Sequence, residues 1–226
     1  MKLMIGVLLL CLTAFVWAED KSDNTELQRA TETIQHMTST APDKGIPRDV
    51  FDGAKCVAVI PHLVKGAFIV GGEHGRGVAT CRTANNNWSS PAPFEVSGVS
   101  WGAQIGGESN DIVMFFMNNE GMNNLMKGHV KVGADVSAAA GPVGRQASAD
   151  AGYKAGILTY SGSKGAFIGA SLSGAELHAD KKLIKDWYNR DASFEEILLG
   201  RERTQNADAR AFVNAVQNAK ETAQAR

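Results

Sequence analysis

The order of its segments constrains this chain most. One helical stretch is followed by strand-like runs from Val50 to Ser173, interrupted by a single short helical stretch, and the remaining helices come after them. Thr25–Ser39 places Leu27, Ala30, Ile34 and Met37 on one helical face, and Asn24 or Thr25 can cap its start. Pro42, Gly45 and Pro47 end that helix. Ala54–Ile60 is an apolar, β-branched run closed by Pro61, and Gly66–Val70 and Gly77–Arg82 read as two further strands around a glycine-rich turn. Val99–Ile105 and Val130–Ala139 alternate with period two, and Ile112–Met117 is an unbroken apolar strand. Gly156–Tyr160 and Ala166–Ser173 resume the strand pattern. Asn118–Lys127, Asp180–Asn189, Phe194–Leu199 and Ala207–Ala223 read as helices, with Ser193 a cap followed by acids in the first turn. Because the strands are not interleaved with crossover helices, the pattern predicts an α+β fold. The sheet is expected to be mostly antiparallel, strongly twisted or barrel-like, and flanked by N-terminal and C-terminal helices.

Residues 1–18 read as a secretory signal peptide: Lys2, the apolar stretch Leu3–Val16, and Ala18 before the charged run Glu19-Asp20-Lys21. Its apolar part is shorter than the roughly 20 residues of a spanning helix. Leu8–Cys11 partly resembles a lipoprotein signal, but the bulky Leu10 sits where a small residue belongs, so anchoring at Cys11 is not expected. Residues 19–226 then form a single domain with a helical C-terminal extension from about 200. Without Lys2, the 23 basic residues fall to 22 against 24 acidic ones, a net charge of −2. That balance argues against a nucleic-acid partner and leaves room for a local basic face. The expected destination is secreted or periplasmic.

In an oxidising compartment the remaining pair, Cys56 and Cys81, invites a disulfide. A three-strand meander with Lys65–Gly71 between them would hold them about 9–10 Å apart, beyond the roughly 7 Å that a bridge allows between Cα atoms. A bridge and two buried thiols both remain open on these grounds.

The pentapeptide Lys-Gly-Ala-Phe-Ile occurs twice, at Lys65–Ile69 and Lys164–Ile168, and marks two related pieces of structure, each the entry to a strand. Gly71–Gly77 lacks the Gly-Lys-Ser/Thr ending of a P-loop and reads as a turn, with Arg76 available to an anionic group. Gly98-Val99-Ser100-Trp101-Gly102 matches the G-x-S-x-G string, yet Ser100 lies inside an alternating strand rather than a strand-to-helix elbow. His129 and His178 follow it without a local pattern that recommends either. The five histidines, at 36, 62, 74, 129 and 178, show no metal-ligand spacing, and no cofactor motif occurs. His62 and His74 could approach across a hairpin. Lys181, Lys182 and Lys185 fall together on a helix beside Trp187 and Tyr188, a combination suited to a lipid interface. Asp180 and Asp186 offset their charge, and a core place for Trp187 is the alternative.

Several blocks, in order, resemble a known family: Ala54-Lys55-Cys56-Val57-Ala58-Val59-Ile60-Pro61, Lys65–Gly77, Gln104-Ile105-Gly106-Gly107, Ile112-Val113-Met114, and Tyr160–Phe167. They are similar to the SYLF domain, also called the Ysc84 actin-binding domain, over about Thr25 to Leu199. The resemblance implies binding of lipids, phosphoinositides among them, and actin binding in some members; bacterial members are mostly secreted or envelope proteins. The resulting expectation is a noncatalytic lipid-binding module of the cell envelope that contacts anionic phospholipid headgroups. Its contact residues would be Lys65, Arg76, Lys164, Lys181, Lys182 and Lys185. The alternative is a protein-binding or scaffolding module of the actin-binding kind.

Overall fold

The computed structural model describes residues 24–39, 46–67, 70–101, 106–142, 155–163, 166–169, 172 and 174–224. The segment read as a leader, Cys11 and Lys164 lie outside them. Helix α1 (Thr25–Ser39) buries Leu27, Ala30, Ile34 and Met37, the face its periodicity marks. The short α2 (Arg48–Gly53) follows Pro47, whose fixed φ suits a helix entry. Then come β1 (Cys56–Ala67), β2 (Val70–Cys81), β3 (Ala92–Trp101) and β4 (Gly106–Phe116). After α3 (Asn119–Met126), with Asn118 capping the amide of Gly121, the chain adds β5 (His129–Lys131) and β6 (Ala138–Ala140). Strands β7 (Ile157–Ser163), β8 (Ala166–Gly169) and β9 (Ala175–Ala179) complete the sheet. Helices α4 (Lys181–Tyr188), α5 (Phe194–Leu198) and α6 (Ala207–Gln224) close the described chain.

The strands form one strongly curled, half-barrel sheet in the order β5-β9-β3-β2-β1-β4-β7-β6, with β8 on β7. Pairing is antiparallel except between β6 and β7. The α+β expectation is therefore met. At the end of the sheet formed by Cys56–Ile60, Val78–Cys81 and Ile112–Phe116, every residue is buried, as a sheet covered on both faces requires. One face meets the helices through Phe51 of α2, whose ring lies edge-on to Phe115 at 5.0 Å between centroids; Phe115 in turn meets Tyr160 at 5.7 Å. On the same side α1 packs along α6, and Asn206 at the entry to α6 donates to Asn24 at the entry to α1. The other face packs Phe94, Val130 and Leu177 against Leu125 of α3 and Phe194 of α5.

Three strand expectations change. The runs read as three strands between Ala54 and Arg82 are one long hairpin, β1 against β2, with Cys56 directly opposite Cys81. Pro61 does not end β1. It sits in an irregularity between Val59 and Val64 where His62 takes φ 56° and its amide donates to Asp111 at 3.1 Å. A bulge tolerates the missing proline donor, so the strand passes through. With the intervening strand gone, the Cα atoms of Cys56 and Cys81 lie 4.0 Å apart and the sulfurs are bonded. The disulfide is present, and the geometric objection to it rested on a meander that does not exist.

Gly71–Gly77 is likewise not a turn. These residues run through the middle of β2, and the positive-φ glycines among the described residues lie elsewhere, at 128, 133, 174 and 200. Gly77 makes room instead: a Cβ there would stand 2.4 Å from the Phe94 ring. Val130–Ala139 is not continuous either. Gly133 turns the chain at φ 89°, and the Asp135 carboxylate accepts from the Lys131 amide at 2.7 Å, separating β5 from β6. The predicted strand Val99–Ile105 becomes the later part of β3, which starts at Ala92; residues 102–105 lie outside the described residues. The two pentapeptides also take opposite places, since Lys65–Ala67 ends β1 whereas Ala166–Ile168 opens β8.

Candidate functional site

Side chains on neighbouring antiparallel strands share a face where their residues are in register. Arg76 of β2 is opposite Glu95 of β3, Glu95 is opposite His178 of β9, and His178 is opposite His129 of β5. Two residues along, the row repeats as His74, Ser97, Glu176 and Lys131. The residues between these rows, Gly75, Val96, Leu177 and Val130, are buried. The wing β2-β3-β9-β5 thus turns one apolar face to the core and one polar face to solvent.

The predicted basic residues are distributed unevenly around it. Lys65 pairs with Glu73 at 3.2 Å, and Glu73 is largely buried. Glu73 lies three positions from Arg76 on β2, so the two occupy opposite faces. Arg76 lies 3.9 Å from both Glu95 and Asp180. It also acts on Glu26 at the start of α1: burial pushes that carboxyl up, and nearby Arg29, Arg76 and His62 oppose the shift. Asp180 is buried and caps α4 by accepting from the Leu183 amide at 2.9 Å. Lys65 and Arg76 are therefore already engaged by acids.

Helix α4 is different. It buries Leu183, Ile184, Trp187 and Tyr188 and leaves Lys181, Lys182 and Lys185 exposed. Lys185 faces Asp191 at 3.8 Å, an exposed pair of little energetic weight. Lys181 and Lys182 have no ion-pair partner among the described residues. Both aromatics turn inward, and the Tyr188 hydroxyl donates to the Pro91 carbonyl at 2.8 Å. The lysines thus gather as the sequence suggests, without aromatics at the surface beside them.

Ser100 pairs with Gly71 within β3, five residues beyond Glu95, the register partner of His178. That separation is roughly 16 Å along a strand, and no nucleophile elbow is formed at Ser100. Sequence reasoning missed that His129, Glu176 and His178 converge on β5 and β9. Glu176-Leu177-His178 carries the signal, since alternation puts Glu176 and His178 on one face, but its contact with His129 depends on register. Lys131 donates to Glu176 at 2.8 Å, and this hydrogen bond is the main reason the Glu176 carboxyl titrates below its ordinary range and the Lys131 ammonium above its own.

A curled antiparallel sheet with an open polar wing and a lysine-bearing peripheral helix defines an α+β module with solvent-facing charged surfaces. Residues 97–219, more than half of the chain, match the family model Ysc84, described as a Las17-binding protein actin regulator, and the chain belongs to that family. It is 33% identical over 166 residues to LAS seventeen-binding protein 3 of Saccharomyces cerevisiae, covering 71% of this chain and 36% of that protein. It is 29% identical over 183 residues to human SH3 domain-containing YSC84-like protein 1, covering 78% and 53%. Protein YSC84 of Saccharomyces cerevisiae is 31% identical over 190 residues, covering 80% and 40%. The chain spans between about a third and a half of the length of these relatives. No solved structure gives a significant match.

Proposed function

We propose that this protein is a noncatalytic binding module of the cell envelope whose ligand is an anionic lipid headgroup, held at the exposed face of α4. The supporting observation is the trio Lys181, Lys182 and Lys185, anchored from beneath by Leu183, Ile184, Trp187 and Tyr188. Three ammonium groups on a rigid helix attract phosphate or carboxylate groups, and the attraction falls with salt. Lys65 and Arg76, already paired with acids, are secondary in this reading. The envelope location rests on the leader-like residues 1–18. Co-sedimentation of the chain with phosphatidylglycerol vesicles and with phosphatidylcholine vesicles tests it. Binding to the anionic vesicles alone is expected, weakening as salt rises and lost when Lys181, Lys182 and Lys185 become Glu. Equal binding to both vesicle types, or to neither, overturns it.

A second reading, a protein-binding or scaffolding module, is favoured by the family description, Las17-binding protein actin regulator, and by the yeast relative's name, LAS seventeen-binding protein 3. Saturable co-sedimentation with actin filaments in the absence of lipid, unchanged by the α4 substitutions, would select it over the first.

A further inference from the structure

We propose that His129, Glu176 and His178 form a binding site for a divalent transition-metal ion of the zinc or copper kind. The three side chains come from two strands in register, His129 opposite His178 and Lys131 opposite Glu176. One Glu176 oxygen, Oε2, lies 3.6 Å from His129 Nε2 and 3.4 Å from His178 Nε2. All three donor atoms fall within 4.8 Å of one another. A zinc ion bonded to nitrogen and oxygen at about 2.0–2.1 Å with tetrahedral angles holds its donors about 3.4 Å apart. The two histidine–carboxylate separations are already near that value, and small rotations of the imidazoles bring the third to it. Two imidazoles and one carboxylate suit zinc, copper or nickel rather than calcium or magnesium, which prefer all-oxygen shells. All three residues are partly or fully exposed, so the remaining coordination positions are open to water or to a donor from a partner.

The neighbouring charges bear on affinity. Lys131 donates to the other Glu176 oxygen, Oε1, which orients the carboxylate but sets a positive charge beside the ion. Asp135 accepts from the Lys131 amide, and Glu95, the register partner of His178, is held by Arg76. Strand β5 is a three-residue edge strand whose ladder partner is β9. An ion bridging His129 to Glu176 and His178 therefore fastens that edge to the sheet, and binding to the folded state alone raises its stability.

Isothermal titration of the full, untagged chain with zinc chloride, paired with thermal melts, tests the site. One equivalent of zinc per chain and a zinc-dependent rise in Tm are expected. His129→Ala and His178→Gln each lose both effects, His74→Ala keeps both, and Lys131→Met binds as tightly as the parent or tighter. Circular dichroism confirms that the variants fold. Should one histidine variant fail to fold, electron paramagnetic resonance of the parent chain with one equivalent of Cu2+ gives an independent readout, with coupling to two imidazole nitrogens expected. Absence of saturable zinc uptake, parental uptake in His178→Gln, or a copper spectrum without nitrogen coupling overturns the proposal.

Discussion

At the scale of one residue, Gly77 is a glycine that close packing requires. It lies in β2, where its missing side chain lets the buried Phe94 ring of β3 cross the strand. A Cβ there would stand 2.4 Å from that ring and 2.7 Å from the Val59 carbonyl oxygen. The ring could rotate away, but the carbonyl belongs to β1 and is fixed by the hairpin. Gly77→Ala should therefore cost about 1–3 kcal/mol, the usual penalty for overpacking a core. Gly66, with nothing within 4 Å of its Cβ position, provides the contrast. Its alanine variant should be neutral or slightly stabilising, because alanine restricts the unfolded chain. Urea denaturation of the two variants checks the difference, and equal midpoints would remove the packing role assigned to Gly77.

At the scale of the element, most helices were legible, whereas the short α2, whose Val50–Gly53 fell inside the strand reading, and the glycine-rich strands were not. Helices α1, α4 and α5 declare themselves through amphipathic spacing, and α5 also through its cap Ser193, which accepts from the Glu196 amide; the cap Asp180 of α4 is seen only in the structure. Glycine is ambiguous in a sequence, since it can mark a turn or a place where a strand makes room for a neighbour. Read as a turn, Gly71–Gly77 divided a hairpin into three strands and misplaced Cys81. Strand β9 escaped because Ala175–Ala179 is only five residues long and follows the positive-φ Gly174. The convergence of His129 with Glu176 and His178 escaped for a related reason, because cross-strand register is not written in local periodicity. The hairpin itself yields a prediction. Cys56 opens β1 and Cys81 closes β2, so their bond staples the end away from the tip and closes a loop with a sequence separation of 25. Removing such a bond costs about 2–4 kcal/mol, largely by freeing the unfolded chain. The double variant Cys56→Ala, Cys81→Ala should lose that amount in chemical denaturation, and reduced parent protein should follow it closely. A parental midpoint in both would show that the strand pairing alone sustains the hairpin.

For the whole molecule, two tyrosines tie chain segments to the core and couple its stability to alkaline pH. The Tyr160 hydroxyl on β7 donates to the Pro142 carbonyl at 2.9 Å, and that of Tyr188 on α4 donates to the Pro91 carbonyl at 2.8 Å. Burial pushes both phenols above their ordinary value of 10.0, in Tyr188 against a smaller opposing hydrogen bond with Ser90. A phenolate at either place would lose its hydration and turn a negative charge toward a carbonyl oxygen. Above pH 10 the unfolded chain therefore releases protons that the folded chain keeps, and stability falls as pH rises. The contribution of these groups is fully present below pH 10. By pH 11 each should have cost about 1.4 kcal/mol. Urea denaturation across pH 8 to 11 should show the decline, and Tyr160→Phe with Tyr188→Phe should flatten it even if the lost hydrogen bonds lower stability at every pH. Absorbance of the folded protein near 295 nm gives a second readout: of its three tyrosines, these two should resist ionisation until the chain unfolds. An unchanged slope in the double variant would move the alkaline sensitivity to other groups and leave the tyrosines as packing alone.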